Sequence, residues 1–89
     1  MRALRTTGQF GHDLKKARRR RKDEDKLWII VEQLVRGEPL APRHRPHRLG
    51  GEWRDHRECH IEPDWLLIWR ETASEIVLVR LGSHADLFE

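Results

Sequence analysis

The last third of the chain constrains the fold most. Two apolar runs, residues 65–70 and 76–81, are separated only by a short turn around residues 72–74. Glu62-Pro63-Asp64 forms a second turn, between the first of these runs and a more mixed one over residues 51–61. Strands joined by such short turns lie antiparallel, because a parallel pair needs a crossover of about a dozen residues or more. Three consecutive antiparallel strands are therefore expected from residue 51 onward.

Upstream, the period changes to that of a helix. Thr7 can cap a helix, and Phe10, Leu14 and Ala17 follow at i, i+4 and i+7. A basic run over residues 18–22 ends that segment. Asp23 can cap the next one, with Glu24 and Asp25 in a first turn where the helix dipole favours anions. Leu27, Ile30, Val31 and Leu34 then mark one apolar face, and Gly37 and Pro39 stop it. Residues 2–6 read as a short strand, and residues 38–50, with three prolines, as a basic loop. Ser83 can cap a last short turn through Phe88. The expected fold class is α+β in the order β-α-α-β-β-β, a curved antiparallel sheet with two N-terminal helices packed on one face. At 89 residues this is one thin-cored domain, residues 1–89. The second sheet face, without helices, is the expected binding surface.

Charge divides the chain. Residues 1–50 hold 14 Lys and Arg against 6 Asp and Glu, and residues 51–89 hold 4 against 9. The basic half suits contacts with phosphates. A single cysteine, Cys59, excludes an internal disulfide and fits a reducing compartment. Residues 1–10 lack the apolar core of a secretory signal, and no apolar run approaches membrane-spanning length, so a cytoplasmic protein with no membrane partner is expected.

Chemistry concentrates in the histidines. Along the 51–61 strand, alternation puts Arg54, His56, Glu58 and His60 on one side. His47 lies just before that strand and Asp64 just after it. In the last strand, Val77, Val79 and Leu81 are expected against the helices, leaving Arg80 on the open face with His84 close behind. Metal-free RNA cleavage needs a base for the 2′-hydroxyl, an acid for the leaving 5′-oxygen, a cation for the phosphate and a means of alignment. Histidine supplies base or acid near neutral pH, and arginine the bidentate phosphate contact. An aspartate can orient a histidine. Each residue also has a plainer reading: His12 as an inert surface group, Trp53, Trp65 and Trp69 as packing, Arg80 as the partner of Glu71 or Glu75. The pairs His44/His47 and His56/His60 make no recognised structural-zinc spacing, so neither metal nor cofactor is expected.

The stretch His47-Arg-Leu-Gly-Gly-Glu-Trp-Arg-Asp-His-Arg-Glu-Cys-His60-Ile-Glu-Pro-Asp64-Trp-Leu-Leu-Ile-Trp-Arg70 resembles YafQ-like toxins of the RelE/ParE superfamily. So does the tail Arg80-Leu-Gly-Ser-His84-Ala-Asp-Leu-Phe88. The resemblance implies a ribosome-dependent mRNA endonuclease that cuts the A-site codon and is neutralised by a cognate antitoxin in a toxin–antitoxin complex. It places functional positions on His47, His60, Asp64, His84 and Phe88. Glu58 stands where aspartate is usual, His56 where an aromatic is, and Trp69 where tyrosine is common. In that scheme His47 and His84 are base and acid, in an order left open, His60 and Arg80 brace the phosphate, and Asp64 orients a histidine. Lys15, Lys16 and Arg19 of the first helix, with Arg43, Arg45 and Arg48 of the loop, would contact RNA phosphates of the 70S ribosome. An acidic antitoxin segment could fold over the same basic surface. A gyrase-inhibiting toxin of the same superfold without catalysis, or a basic nucleic-acid-binding or zinc-binding module, remains the alternative.

Overall fold

A computed structural model describes residues 1–88. The elements run β1 (Ala3–Thr6), α1 (Gly8–Arg19), α2 (Glu24–Arg36), β2 (His47–Arg48), β3 (Arg57–Glu62), β4 (Trp65–Glu71), β5 (Glu75–Gly82) and α3 (His84–Phe88). The helix limits follow the sequence signals. The Thr7 hydroxyl accepts from the Phe10 backbone N–H at 3.0 Å, and Asp23 accepts from the Asp25 N–H at 3.1 Å. Gly37 ends α2 with φ +74°, a left-handed conformation that glycine adopts without penalty.

The strands form one five-stranded sheet in the order β1-β5-β4-β3-β2. The fold class is the α+β arrangement expected, with two helices on one face, but the sheet is mixed. β1 runs parallel to β5, while the other pairs are antiparallel. The helical hairpin between β1 and the rest of the sheet is long enough to permit a parallel neighbour. The basic loop also contributes more than expected: it contains a 3-10 turn at Pro42–His44 and the edge strand β2. The strand expected over 51–61 is shorter. Gly51–Trp53 forms a 3-10 turn and pairing with β4 starts at Arg57, so Arg54 and His56 do not share a strand face with His60.

The main core lies between the helices and the sheet. Phe10 and Ala17 of α1 and Leu27, Ile30, Val31 and Leu34 of α2 meet Cys59, Ile61, Trp65, Leu67, Trp69, Ile76, Leu78 and Leu81. Trp65 and Trp69 are thus packing residues, 2% and 1% exposed. The expected facing of β5 is corrected here. Ile76 and Leu78, not Val77 and Val79, point to the helices. Pairing jumps from Ile68↔Arg80 to Trp69↔Leu78, so Val79 is an extra, bulged residue and the alternation restarts after it. Leu81 therefore returns to the helix side, as expected. The second face is not bare either. Leu66 and Ile68 are fully buried there beneath Leu87 of α3, with Leu49, Trp53 and Val79 around them. Among the described residues no helix is long and apolar enough to cross a membrane.

Candidate active site

The register of β2, β3 and β4 builds the site. Residues directly opposite in an antiparallel pair share a face. His47 faces Glu58, Glu58 faces Ile68, and His60 faces Leu66. His47, Glu58 and His60 therefore stand on the sheet face that carries Leu66 and Ile68, away from α1 and α2. β5 then delivers α3, and with it His84, to the end of the same face.

His60 and His84 meet with ring centroids 5.6 Å apart. Asp64 in the β3–β4 turn holds His84 twice through Oδ1, accepting from its backbone N–H at 2.9 Å and bonding its ring Nδ1 at 2.7 Å. The His84 backbone N–H, then its ring, keep the Asp64 carboxyl below the usual carboxylate range. His60 Nδ1 lies 3.2 Å from the Pro63 carbonyl oxygen. A cleft of about 500 Å³ opens beside this pair, lined by Arg43, His44, Arg45, His60, Ile61, Glu62, Pro63 and His84. That volume is of the size that small-molecule sites take.

His47 is not among the residues that line this cleft. Its Nδ1 lies 2.7 Å from the Arg45 carbonyl and its Nε2 3.4 Å from Glu58 Oε1. The Glu58 side chain is only 6% exposed, and its Oε2 is buried without a hydrogen-bond partner among the described residues. Such an atom carries a desolvation cost unless some further donor reaches it.

Arg80 departs from expectation. Its guanidinium does not reach the histidines but turns to α1, where Nε lies 2.8 Å from Asp13 Oδ2. The same oxygen accepts the Leu81 backbone N–H at 3.0 Å. β1 pairs only as far as Leu78, so α1 seals the free edge of β5 with Asp13 instead. Neither plain partner, Glu71 or Glu75, is used; these bind Arg2 and Arg5. Arg43 and Arg45 hold the place beside the histidines that Arg80 was expected to fill.

The remaining positions divide. Phe88 lies exposed at the end of α3. Lys15 and Arg19 are exposed on α1 and line a groove with Lys16, His12 and Arg80. Lys16 joins Arg20 in gripping Asp86 of α3. Among the described residues Lys15, Arg19, Arg43, Arg45 and Arg48 enter no ion pair and are free for a polyanion. Arg48 lines a separate cleft with Arg54, His56 and Arg70. Burial first, and Arg70 second, lower the His56 pKa.

Sequence reasoning missed three residues here. Asp13 occupies the buried stripe of α1 between Phe10 and Ala17, and an acid in an apolar stripe was the available sign that it needs a partner. Asp86 sits three residues after Ser83, and the two cap one another: Ser83 N–H donates to Asp86 Oδ2 at 3.0 Å and Asp86 N–H to Ser83 Oγ at 3.1 Å. His44 lies in a loop with no period to place it.

A family model described as a bacterial toxin of type II toxin–antitoxin system, YafQ, matches residues 2–89. The chain belongs to the YafQ toxin family. It is 38% identical over 88 residues to the mRNA interferase toxin YafQ of Escherichia coli K12, covering 98% of this chain and 96% of that YafQ. The crystal structure of YafQ from E. coli BL21(DE3) superposes with TM-score 0.95 at 36% identity, each chain fully covered. YafQ in the E. coli DinJ–YafQ toxin–antitoxin complex matches with TM-score 0.92 at 37% identity, over 99% of this chain and 98% of that one.

Proposed function

We propose that this YafQ-family chain is an mRNA endonuclease that cuts the A-site codon of translating ribosomes by metal-independent acid–base catalysis. The observation that carries the reading is the His60–His84 pair, fixed by Asp64 and facing a cleft with two unpaired arginines. The Asp64 carboxylate on His84 Nδ1 orients the ring and leaves Nε2 free, which suits His84 to protonate the leaving 5′-oxygen. His47, with Nδ1 directed to a carbonyl and Nε2 beside Glu58, is the candidate base for the 2′-hydroxyl. As the new bond joins the 2′-oxygen to phosphorus, the 2′-hydroxyl gives its proton to His47, and as the phosphorus–5′-oxygen bond breaks, His84 gives a proton to the leaving 5′-oxygen. His60, Arg43 and Arg45 offset the charge on the phosphate; Arg80, bound to Asp13, acts only by holding α1 to β5. The mRNA interferase name of the E. coli relative supports this reading.

A second cleft, lined by Lys16, Arg20, Lys22, Asp64 and Ser83 among others, adjoins the site at Asp64 and leads to the basic face of α1. Ribosomal RNA phosphates are its expected ligands, and the ribosome supplies the in-line alignment that so small a protein lacks. The E. coli YafQ is found in complex with DinJ. By analogy a cognate antitoxin covers the basic surface here, in the cytoplasm.

The deciding experiment expresses the wild type and His84→Ala and maps 5′ ends on a translated message. Codon-phased cuts that vanish with the substitution are expected. Equal cutting by both, or efficient cutting of naked RNA by the purified wild type, would overturn the proposal.

A further inference from the structure

His44 has no role in the reaction described above, yet it lines the cleft, which His47 does not. The 3-10 turn Pro42–His44 packs on β3, and His44 Nδ1 lies 2.7 Å from the His60 backbone carbonyl. A carbonyl oxygen can only accept, so Nδ1 carries the hydrogen. In the neutral ring Nε2 is then left as an acceptor. Arg45 ends the turn in a left-handed conformation, φ +45°, unusual for a residue with a Cβ. The half-buried ring is thereby held by the turn on one side and by the β3 backbone on the other.

The groups around it define what it can bind. Arg43 and Arg45 come from its own loop, His60 and Glu62 from β3, and His84 from α3. The guanidinium groups serve the phosphate of a bound strand. Phosphate oxygens offer no hydrogen to an acceptor nitrogen, whereas the ribose 2′-hydroxyl does and is present on every nucleotide of RNA.

We propose that His44 is a further catalytic residue, accepting through Nε2 a hydrogen bond from a ribose 2′-hydroxyl of the RNA in the cleft. This rests on the ribonuclease reading of the same site. It makes the cleft selective for ribose and helps to set the sugar beside the His60–His84 pair.

Two substitutions separate this role from simple packing. Asparagine places an amide N–H near the position of Nδ1, keeping the bond to the His60 carbonyl and removing Nε2. Glutamine reaches the position of Nε2 with an acceptor but gives up that bond. The cutting rate on a translated message, at saturating toxin, is measured for the wild type, His44→Asn, His44→Gln and His84→Ala, with the melting temperature of each. The expected result is a loss of about tenfold or more in His44→Asn, the effect of one lost hydrogen bond of ordinary strength, with partial recovery in His44→Gln. A packing role gives the reverse order, Asn above Gln, and that order, or wild-type cutting by His44→Asn, overturns the proposal. Should His84→Ala cut like the wild type, the ribonuclease reading fails and takes this inference with it. A silent His84→Ala beside a fully active His44→Asn defeats the inference alone.

Discussion

One carboxylate oxygen, Asp64 Oδ1, receives both the backbone N–H and the ring Nδ1 of His84. The double contact fixes the position of His84 and the tautomer of its ring together. Asp64→Asn keeps the shape and an acceptor for the backbone N–H but replaces the charged partner of the ring Nδ1 with a neutral amide. Cutting of a translated message is expected to fall about 100-fold, the lower end of what a positioned acid contributes. The melting temperature should hardly move, because Asp64 is exposed. Since His84 holds the Asp64 carboxyl below its ordinary 3.8, the contact should survive acidification past the point where a free aspartate protonates. Chemical shifts of Asp64 and His84 across a pH titration check this directly.

Asp13 has the opposite signature. It binds Arg80 and the Leu81 N–H while only 8% of its side chain is exposed. Asp13→Ala leaves a partly buried guanidinium and a backbone donor without their acceptor. A loss of about 2–4 kcal/mol is expected, enough to lower the melting temperature by on the order of 10 °C in a domain of this size. If activity falls, it should do so in step with the folded fraction. A large drop in cutting at full stability would instead return Arg80 to the reaction.

These two residues also show what the sequence made legible. The heptad-like spacing of Leu27, Ile30, Val31 and Leu34, the caps Thr7 and Asp23, and the short turns at 62–64 and 72–74 are local signals, and each matches an observed element. The facing of β5 was not legible, because the bulge at Val79 depends on pairing with β4 and leaves no mark in β5 alone. Arg80 does start from the open face, opposite Ile68, but its side chain is drawn to Asp13 of α1, a long-range contact that β5 alone does not reveal. The rough alternation of residues 2–6 marks a strand, but β1 consists of four exposed residues, so nothing local tells its parallel pairing with β5. For the site, motif spacing brought His60, Asp64 and His84 to notice, and they do converge. His44 reaches the cleft through a proline-led turn and a left-handed Arg45, and neither has a period that sequence reading can detect.

The free arginines of the loop set a salt dependence. Arg43 and Arg45 line the cleft and form no ion pair among the described residues. Each phosphate neutralised contributes about 0.7–0.9 to the slope of log affinity against log salt. The double variant Arg43→Ala/Arg45→Ala should therefore bind ribosomes with a slope shallower by roughly 1.5. Arg80→Ala should leave the slope unchanged, since its charge is already matched by Asp13. Sedimentation binding across a salt series distinguishes the two.

Asp86 ties catalysis to stability through α3. Arg20, first among its partners, and then the Ser83 backbone N–H hold its carboxyl far below the ordinary 3.8. A carboxyl whose pKa is depressed by folding stabilises the fold at any pH above its unfolded value, and that contribution fades as pH falls towards the folded one. Asp86→Asn should therefore melt lower than the wild type at pH 7, by about 5 °C if it loses one helix cap. The gap should narrow below about pH 3.8, as the unfolded wild type takes up the proton. Gly82 offers an independent check, because a Cβ there would lie 2.9 Å from Asp86 Cβ. Gly82→Ala should displace α3 even with the Asp86 charge intact, loosening His84 in the same way. A melting gap for Asp86→Asn that stays constant into acid would show that the Arg20 and Lys16 contacts to the Asp86 carboxylate add nothing to stability.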